Sequence, residues 1–133
     1  MKKTGTLNVR LSAIIAGMGH LDRLVICDSG LPIPNGSQVV DLALTTNIPR
    51  FLDTLSVVLQ ELQVERVIVA TEMLQKSESV FAEVKRLADE APVEDVPHEE
   101  FKRLTRNGEK IAFVRTGEAT PFANAILVSG VTF

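Results

Sequence analysis

One cysteine in 133 residues leaves no partner for an intrachain disulfide, so the core alone must hold the fold. That residue, Cys27, closes the apolar run LVIC and reads as a small buried hydrophobe rather than a nucleophile. An excess of positive charge is lacking too. A net charge of −3 provides no basic stripe for a duplex or another polyanion, and no zinc-finger, RRM or KH pattern is present, so no nucleic-acid partner is expected. The apolar runs are far too short to span a bilayer, and the opening MKKTGTLNVR leads into no uninterrupted signal-peptide core. No membrane association is expected, and the cytoplasm is the simplest location. Internal repeats and low-complexity tracts are missing as well.

Several chemistries lack their residues. Gly17 and Gly19 have neither the third glycine nor the preceding strand of a dinucleotide fingerprint, and no GxxxxGK[ST] loop occurs. His20, Asp28 and His98 are metal-ligand types, but they are scattered without a recognised ligand spacing. Ser29 has no glycine-flanked nucleophile elbow around it. The expectation is therefore a site with no metal and no cofactor, built from histidine, carboxylate, lysine and amide groups. Such a set suits proton transfer on a small polar molecule, because histidine can give and take a proton near neutral pH.

What is present is a hydrophobic content of 45% with ordinary glycine and proline, which suits one folded domain over residues 1–133. Apolar positions at three- and four-residue spacing predict a helix over 7–18, ended by Gly17 and Gly19. A strand is expected over 24–27 and an extended segment over 39–44. Thr46 or Asn47 is a candidate cap, with Pro49 in the first turn of a helix that carries Phe51, Leu55, Val58, Leu59 and Leu62 on one face. A buried strand over 66–70 with Thr71 and Glu72 at its carboxyl end, a helix over 77–90 and a strand over 93–96 follow. Next come a helix opening at Pro97, a charged connection containing Gly108, a strand over 111–114, a turn over 120–124 and a last strand over 125–131. Short apolar runs alternating with helices predict an α/β fold with a mostly parallel sheet covered by helices.

The stretch GMGHLDRLVICDSGLPIPNG, residues 17–36, places His20 behind two glycines and Asp28 at the end of an apolar strand. The two are expected to face one site from opposite ends of the strand; equally, a histidine after a helix acts as a cap and an aspartate before Ser-Gly makes an Asx turn. His98 and Lys102 share one helix face at a spacing of four, with a solvated surface role as the plain alternative for Lys102. Asn124 enters the last strand able to donate and accept. Arg115 and Glu118 are expected to pair with each other.

Four motifs in order, MKKTGTLN, GHLDRLVICDSGLPIPNG, VPHEEFK and RTGEATPFANAILVSGVTF, closely resemble the D-ribose pyranase family, which is related to the fucose mutarotases. The resemblance spans almost the whole chain. It implies a three-layer α/β/α fold with a mostly parallel mixed sheet, and a cofactor-free cytoplasmic isomerase assembled as a ring-like homo-oligomer, commonly a decamer. The implied substrate is the monosaccharide D-ribose, whose pyranose and furanose forms are interconverted to supply ribofuranose for phosphorylation. By the same resemblance His20 is the principal catalytic residue, Asp28 binds sugar hydroxyls or supports proton transfer, His98 and Lys102 are further sugar-site groups in the same pocket or in one completed by an adjacent subunit, and Asn124 is a sugar-binding amide. Phe122 departs from the family's usual tyrosine, keeping the ring and losing the hydroxyl. A mutarotase for fucose or another sugar, and a non-catalytic sugar-binding protein, are the alternative readings.

Overall fold

A computed structural model describes residues 1–107 and 110–133; the connection expected at Gly108 lies outside the described residues. The elements are α1 (Val9–Ala16), β1 (Arg23–Cys27), β2 (Gln38–Asp41), α2 (Phe51–Leu59), β3 (Val64–Ala70), α3 (Thr71–Lys76), α4 (Glu78–Ala88), β4 (Val93–Val96), α5 (His98–Leu104), β5 (Ile111–Arg115) and β6 (Ala125–Ser129). The strands form a six-stranded sheet in the order β2-β5-β1-β6-β3-β4. Strand β6 runs antiparallel to both of its neighbours, and every other pairing is parallel. The expected mostly parallel mixed sheet is therefore found.

Side chains alternate across this sheet and so define its two covered faces. Leu24, Ile26, Val67, Val69, Ala112, Val114, Ala125 and Leu127 pack with Leu11 and Ile14 of α1, Phe51, Leu55 and Val58 of α2, and Val84 of α4. On the other face Val25, Cys27, Ile68, Phe113, Ile126 and Val128 meet Phe101 of α5 and Leu31 of the loop after β1. These are the three layers. Near-continuous apolar strands such as AILVS are what burial on both faces demands.

Boundaries depart from the expected ones where a local contact decides them. Helix α1 begins at Val9 because the Asn8 side chain accepts the Leu11 N–H at 2.9 Å, which leaves Leu7 outside the helix and exposed. Strand β3 ends at Ala70 with Thr71 and Glu72 at its carboxyl end as expected, but these two residues open the additional helix α3, and Ser77, with φ −141° and ψ 53°, separates α3 from α4. The cap of α2 is neither Thr46 nor Asn47: the helix starts after Arg50, whose side chain makes no capping bond.

Leu127 is fully buried on the central antiparallel strand. Leu127→Ala is expected to lower the free energy of unfolding by about 2–5 kcal/mol, through lost burial plus a residual cavity, as read from urea denaturation midpoints.

Candidate active site

Parallel strands deliver their carboxyl ends to one edge of the sheet, where ligand crevices form in open α/β folds. Here a cavity of about 300 Å³ opens beyond the ends of β1 and β5, at the start of α5. Asp28, Leu31, His98, Glu118, Phe122 and Asn124 are in its wall. That volume lies at the small end of the range for ligand pockets.

The floor is a reciprocal hydrogen-bonded pair. The Asp28 N–H donates to Asn124 Oδ1 at 2.8 Å, and Asn124 Nδ2 donates to Asp28 Oδ2 at 3.0 Å. Asn124 is buried by this arrangement, and the other carboxylate oxygen of Asp28 takes the Gly30 N–H at 2.9 Å. The turn reading of Asp28 is thus realised, in a side chain that also lines the cavity.

His98 is the first residue of α5, and its N–H donates to Glu72 Oε2 at 2.9 Å. Its ring meets Phe122 edge-on with centroids 5.0 Å apart and lies nearly parallel to Phe101. Nδ1 of His98 is buried with no protein partner among the described residues, an unmet hydrogen-bonding group beside the cavity. Phe122 adopts φ 63°, a left-handed conformation that costs a side chain such as phenylalanine about 1–2 kcal/mol. Strained residues of this kind concentrate where function constrains the backbone.

Two expected site residues are absent from the cavity wall. Lys102 shares the α5 face with His98, but its ammonium is bound to Glu99 at 2.6 Å. His20 precedes β1 and lies at the opposite end of that strand from Asp28, so one chain does not present both to one cavity. There Nε2 of His20 is 2.8 Å from Glu65 Oε2, in a half-exposed pair. The turn carrying it is fixed by Asp22, whose carboxylate accepts the Gly19 N–H at 2.8 Å and whose carbonyl accepts the Ser129 N–H at 2.9 Å. Leu21, the next residue after His20, has φ 68°.

The expected Arg115–Glu118 pair does not form. Arg115 binds Asp41 at 3.1 Å, a neighbour across the β2–β5 pairing. Glu118 instead accepts the Phe51 N–H at 3.0 Å and the Thr120 N–H at 3.2 Å. It therefore caps α2 from a distant loop. Sequence reasoning missed Glu118, Glu72 and Glu65. The available signal for Glu118 was a glutamate in the polar break RTGEATP between two apolar strands, and Arg115 three residues before it offered a partner that masked its role. Cys27 behaves as expected: burial, reinforced by the neighbouring Asp28 charge, pushes its thiol up to about 12.

Burial raises the Glu118 carboxyl, and the hydrogen bonds from Phe51 and Thr120, with the nearby Arg50 charge, outweigh it and hold the group below its ordinary value. A depressed folded-state value stabilises the fold fully above the unfolded-state value, about 4.3 for glutamate, and this contribution disappears as pH falls through the folded one. Urea midpoints taken at neutral pH and in acid below that range should therefore fall more for the wild type than for Glu118→Gln. Equal falls would contradict the capping role.

Comparison with known proteins places these features in a family. The model of the RbsD / FucU transport protein family matches residues 1–132. A D-ribose pyranase of Coprothermobacter proteolyticus is 56% identical over 133 residues, with 100% of both chains covered. The structure of Bacillus subtilis RbsD complexed with D-ribose superposes with a TM-score of 0.93 at 44% identity, again over 100% of both chains. A fucose mutarotase from Streptococcus pneumoniae, solved with L-fucose, shares the fold with a TM-score of 0.81 at 19% identity and 100% coverage of both chains. The chain belongs to the RbsD / FucU family.

Proposed function

We propose that this chain, as one domain over residues 1–133, is a cytoplasmic isomerase that interconverts the pyranose and furanose forms of D-ribose without a cofactor and so supplies ribofuranose for phosphorylation. The observation that carries this reading is the convergence of Asp28, His98, Phe122 and Asn124 on one small cavity of mixed polar and apolar lining. It is supported by the 44% identity to a protein whose structure was solved with D-ribose bound.

The reaction needs only positioned proton transfers. A base removes the proton from the anomeric hydroxyl of the pyranose as an acid protonates the ring oxygen O5 and the C1–O5 bond breaks. Rotation of the open aldehyde brings the O4 hydroxyl to C1. There O4 loses its proton as the C1–O4 bond forms, and the carbonyl oxygen regains one, so no net proton is consumed. General acid–base catalysis of this type contributes about 10²–10⁴-fold. Asp28 and Asn124 hold sugar hydroxyls, and His98 and the ring of Phe122 shape the wall; Lys102, outside the wall and paired with Glu99, reaches the sugar only on leaving that pair. His20 is the acid–base residue.

Distance supports a shared site. Strand β1 alone extends roughly 16 Å at 3.3 Å per residue, whereas proton transfer requires contact at about 2.6–3.2 Å. His20 therefore acts in the cavity of a neighbouring copy within a homo-oligomer, a decamer by family resemblance. The half-exposed His20–Glu65 pair is accessible for that role.

Magnetisation-transfer NMR on ribose ring forms tests the reaction. Faster pyranose–furanose exchange is expected with catalytic amounts of the protein, while acceleration of fucose anomers alone would assign it to the mutarotase branch. Folded His20→Ala and Asp28→Ala are each expected to lose most of the exchange activity, and hetero-oligomers that contain both variants should regain part of it. A monomer by light scattering, or full activity in His20→Ala, would overturn the shared-site reading.

A further inference from the structure

Glu118 is 6% exposed and lies in the cavity wall, yet among the described residues none of its polar contacts is to a cationic side chain. Its two carboxylate oxygens serve two backbone segments: Oε2 accepts from Phe51, the first residue of α2, and Oε1 accepts from Thr120 in the loop before β6. The same residue's carbonyl accepts both the N–H and the hydroxyl of Ser29, each at 3.0 Å, immediately after Asp28. Three segments are thus tied through one residue.

The surrounding loop is built for this closeness. A side chain at Gly117 would put its Cβ 2.2 Å from the Thr45 carbonyl oxygen, an impossible contact, so only glycine lets the loop lie against residues 45–48. Gly117 N–H donates to Pro49 O at 2.9 Å, and Asn47 Oδ1 accepts the Ala119 N–H at 3.0 Å. The loop is held on both sides of Glu118, and Glu118 supplies the bonds that reach the α2 terminus and the Asp28 turn.

We propose that Glu118 is a positioning residue for sugar binding, locking the Asp28–Ser29 turn and the loop that carries Phe122 and Asn124 onto the start of α2. The proposal rests on the reading of this cavity as the ribose site. Glu118 acts through the groups that hold the sugar throughout the reaction and not through the proton carrier His20. Loss of an interaction that serves ground state and transition state alike raises KM and leaves kcat in place.

Ring-exchange kinetics of Glu118→Ala, Glu118→Gln and wild type with D-ribose, alongside amide hydrogen exchange of each, supply the test. The expected result for Glu118→Ala is a KM raised about tenfold or more with kcat within about threefold of wild type. Exchange at Phe51 and Thr120, whose N–H groups the carboxylate accepts, should quicken, and with them Ser29, whose acceptor is the main-chain carbonyl of the same residue. Glu118→Gln retains one carbonyl acceptor, so it should recover part of the KM, and it carries the test should the alanine variant not fold. An unchanged KM in a folded variant, or a thermal destabilisation with both kinetic constants intact, overturns the proposal. Wild-type protein that fails to exchange ribose ring forms would overturn the functional reading instead. In that case unchanged amide exchange at these three positions would still sink the positioning role, and selective quickening would sustain it.

Discussion

The Asp28–Asn124 pair is the constraint on which the site depends. The β1–β6 ladder ends where Ile26 faces Ala125, and one step further the backbone partners are replaced by a side chain that takes the Asp28 N–H and returns a donor to its carboxylate. A buried amide that meets one donor and one acceptor in a single partner satisfies groups that would cost about 1–3 kcal/mol each if left unpaired. It also fixes which way the Asp28 carboxylate points. The antiparallel insertion of β6 between β1 and β3 makes this possible, because it brings the start of a strand to the edge where its parallel neighbours end.

Around that pair, helix ends are satisfied from a distance. Neither Arg50 before α2 nor Pro97 before α5 offers a capping side chain, and the first N–H of each helix is taken by a glutamate, Glu118 for α2 and Glu72 for α5. At other termini the charges reverse as the backbone dipoles require: Arg23 donates to the Leu104 carbonyl at the end of α5, and Lys110 donates to the Gly17 carbonyl after α1. Each such contact joins two elements, so the helices are registered against the cavity edge by polar bonds as well as by their buried faces. Local caps would have left that register to packing alone.

This also explains what the sequence could disclose. The central strands were legible because both faces are buried, which leaves unbroken runs such as LVIC and AILV; Asp28, His98 and Asn124 stood out because each adjoins such a run or begins a helix, whereas Phe122 was singled out only by the family resemblance. Glu118 and Phe51 lie 67 positions apart, and His20 and Glu65 lie 45 apart; no periodicity links them. The pairing of Arg115 with Glu118 failed for the same reason. Proximity along the chain suggested it, while the parallel register of β2 and β5 placed Asp41 directly opposite Arg115.

Phe122 shows how one position can separate shape from recognition. Its left-handed backbone would be relieved by glycine, so the retention of a ring there points to the ring's own contact, edge-on to His98 and 5.0 Å from it. Aromatic pairs in that geometry contribute about 0.5–1.5 kcal/mol beyond burial, comparable with the cost of the strained backbone. The contact needs no hydroxyl. Phenylalanine therefore suffices for the contact with His98, and the Asp28–Asn124 pair is made without that side chain, so ring placement and the polar floor are independent parts of the cavity wall.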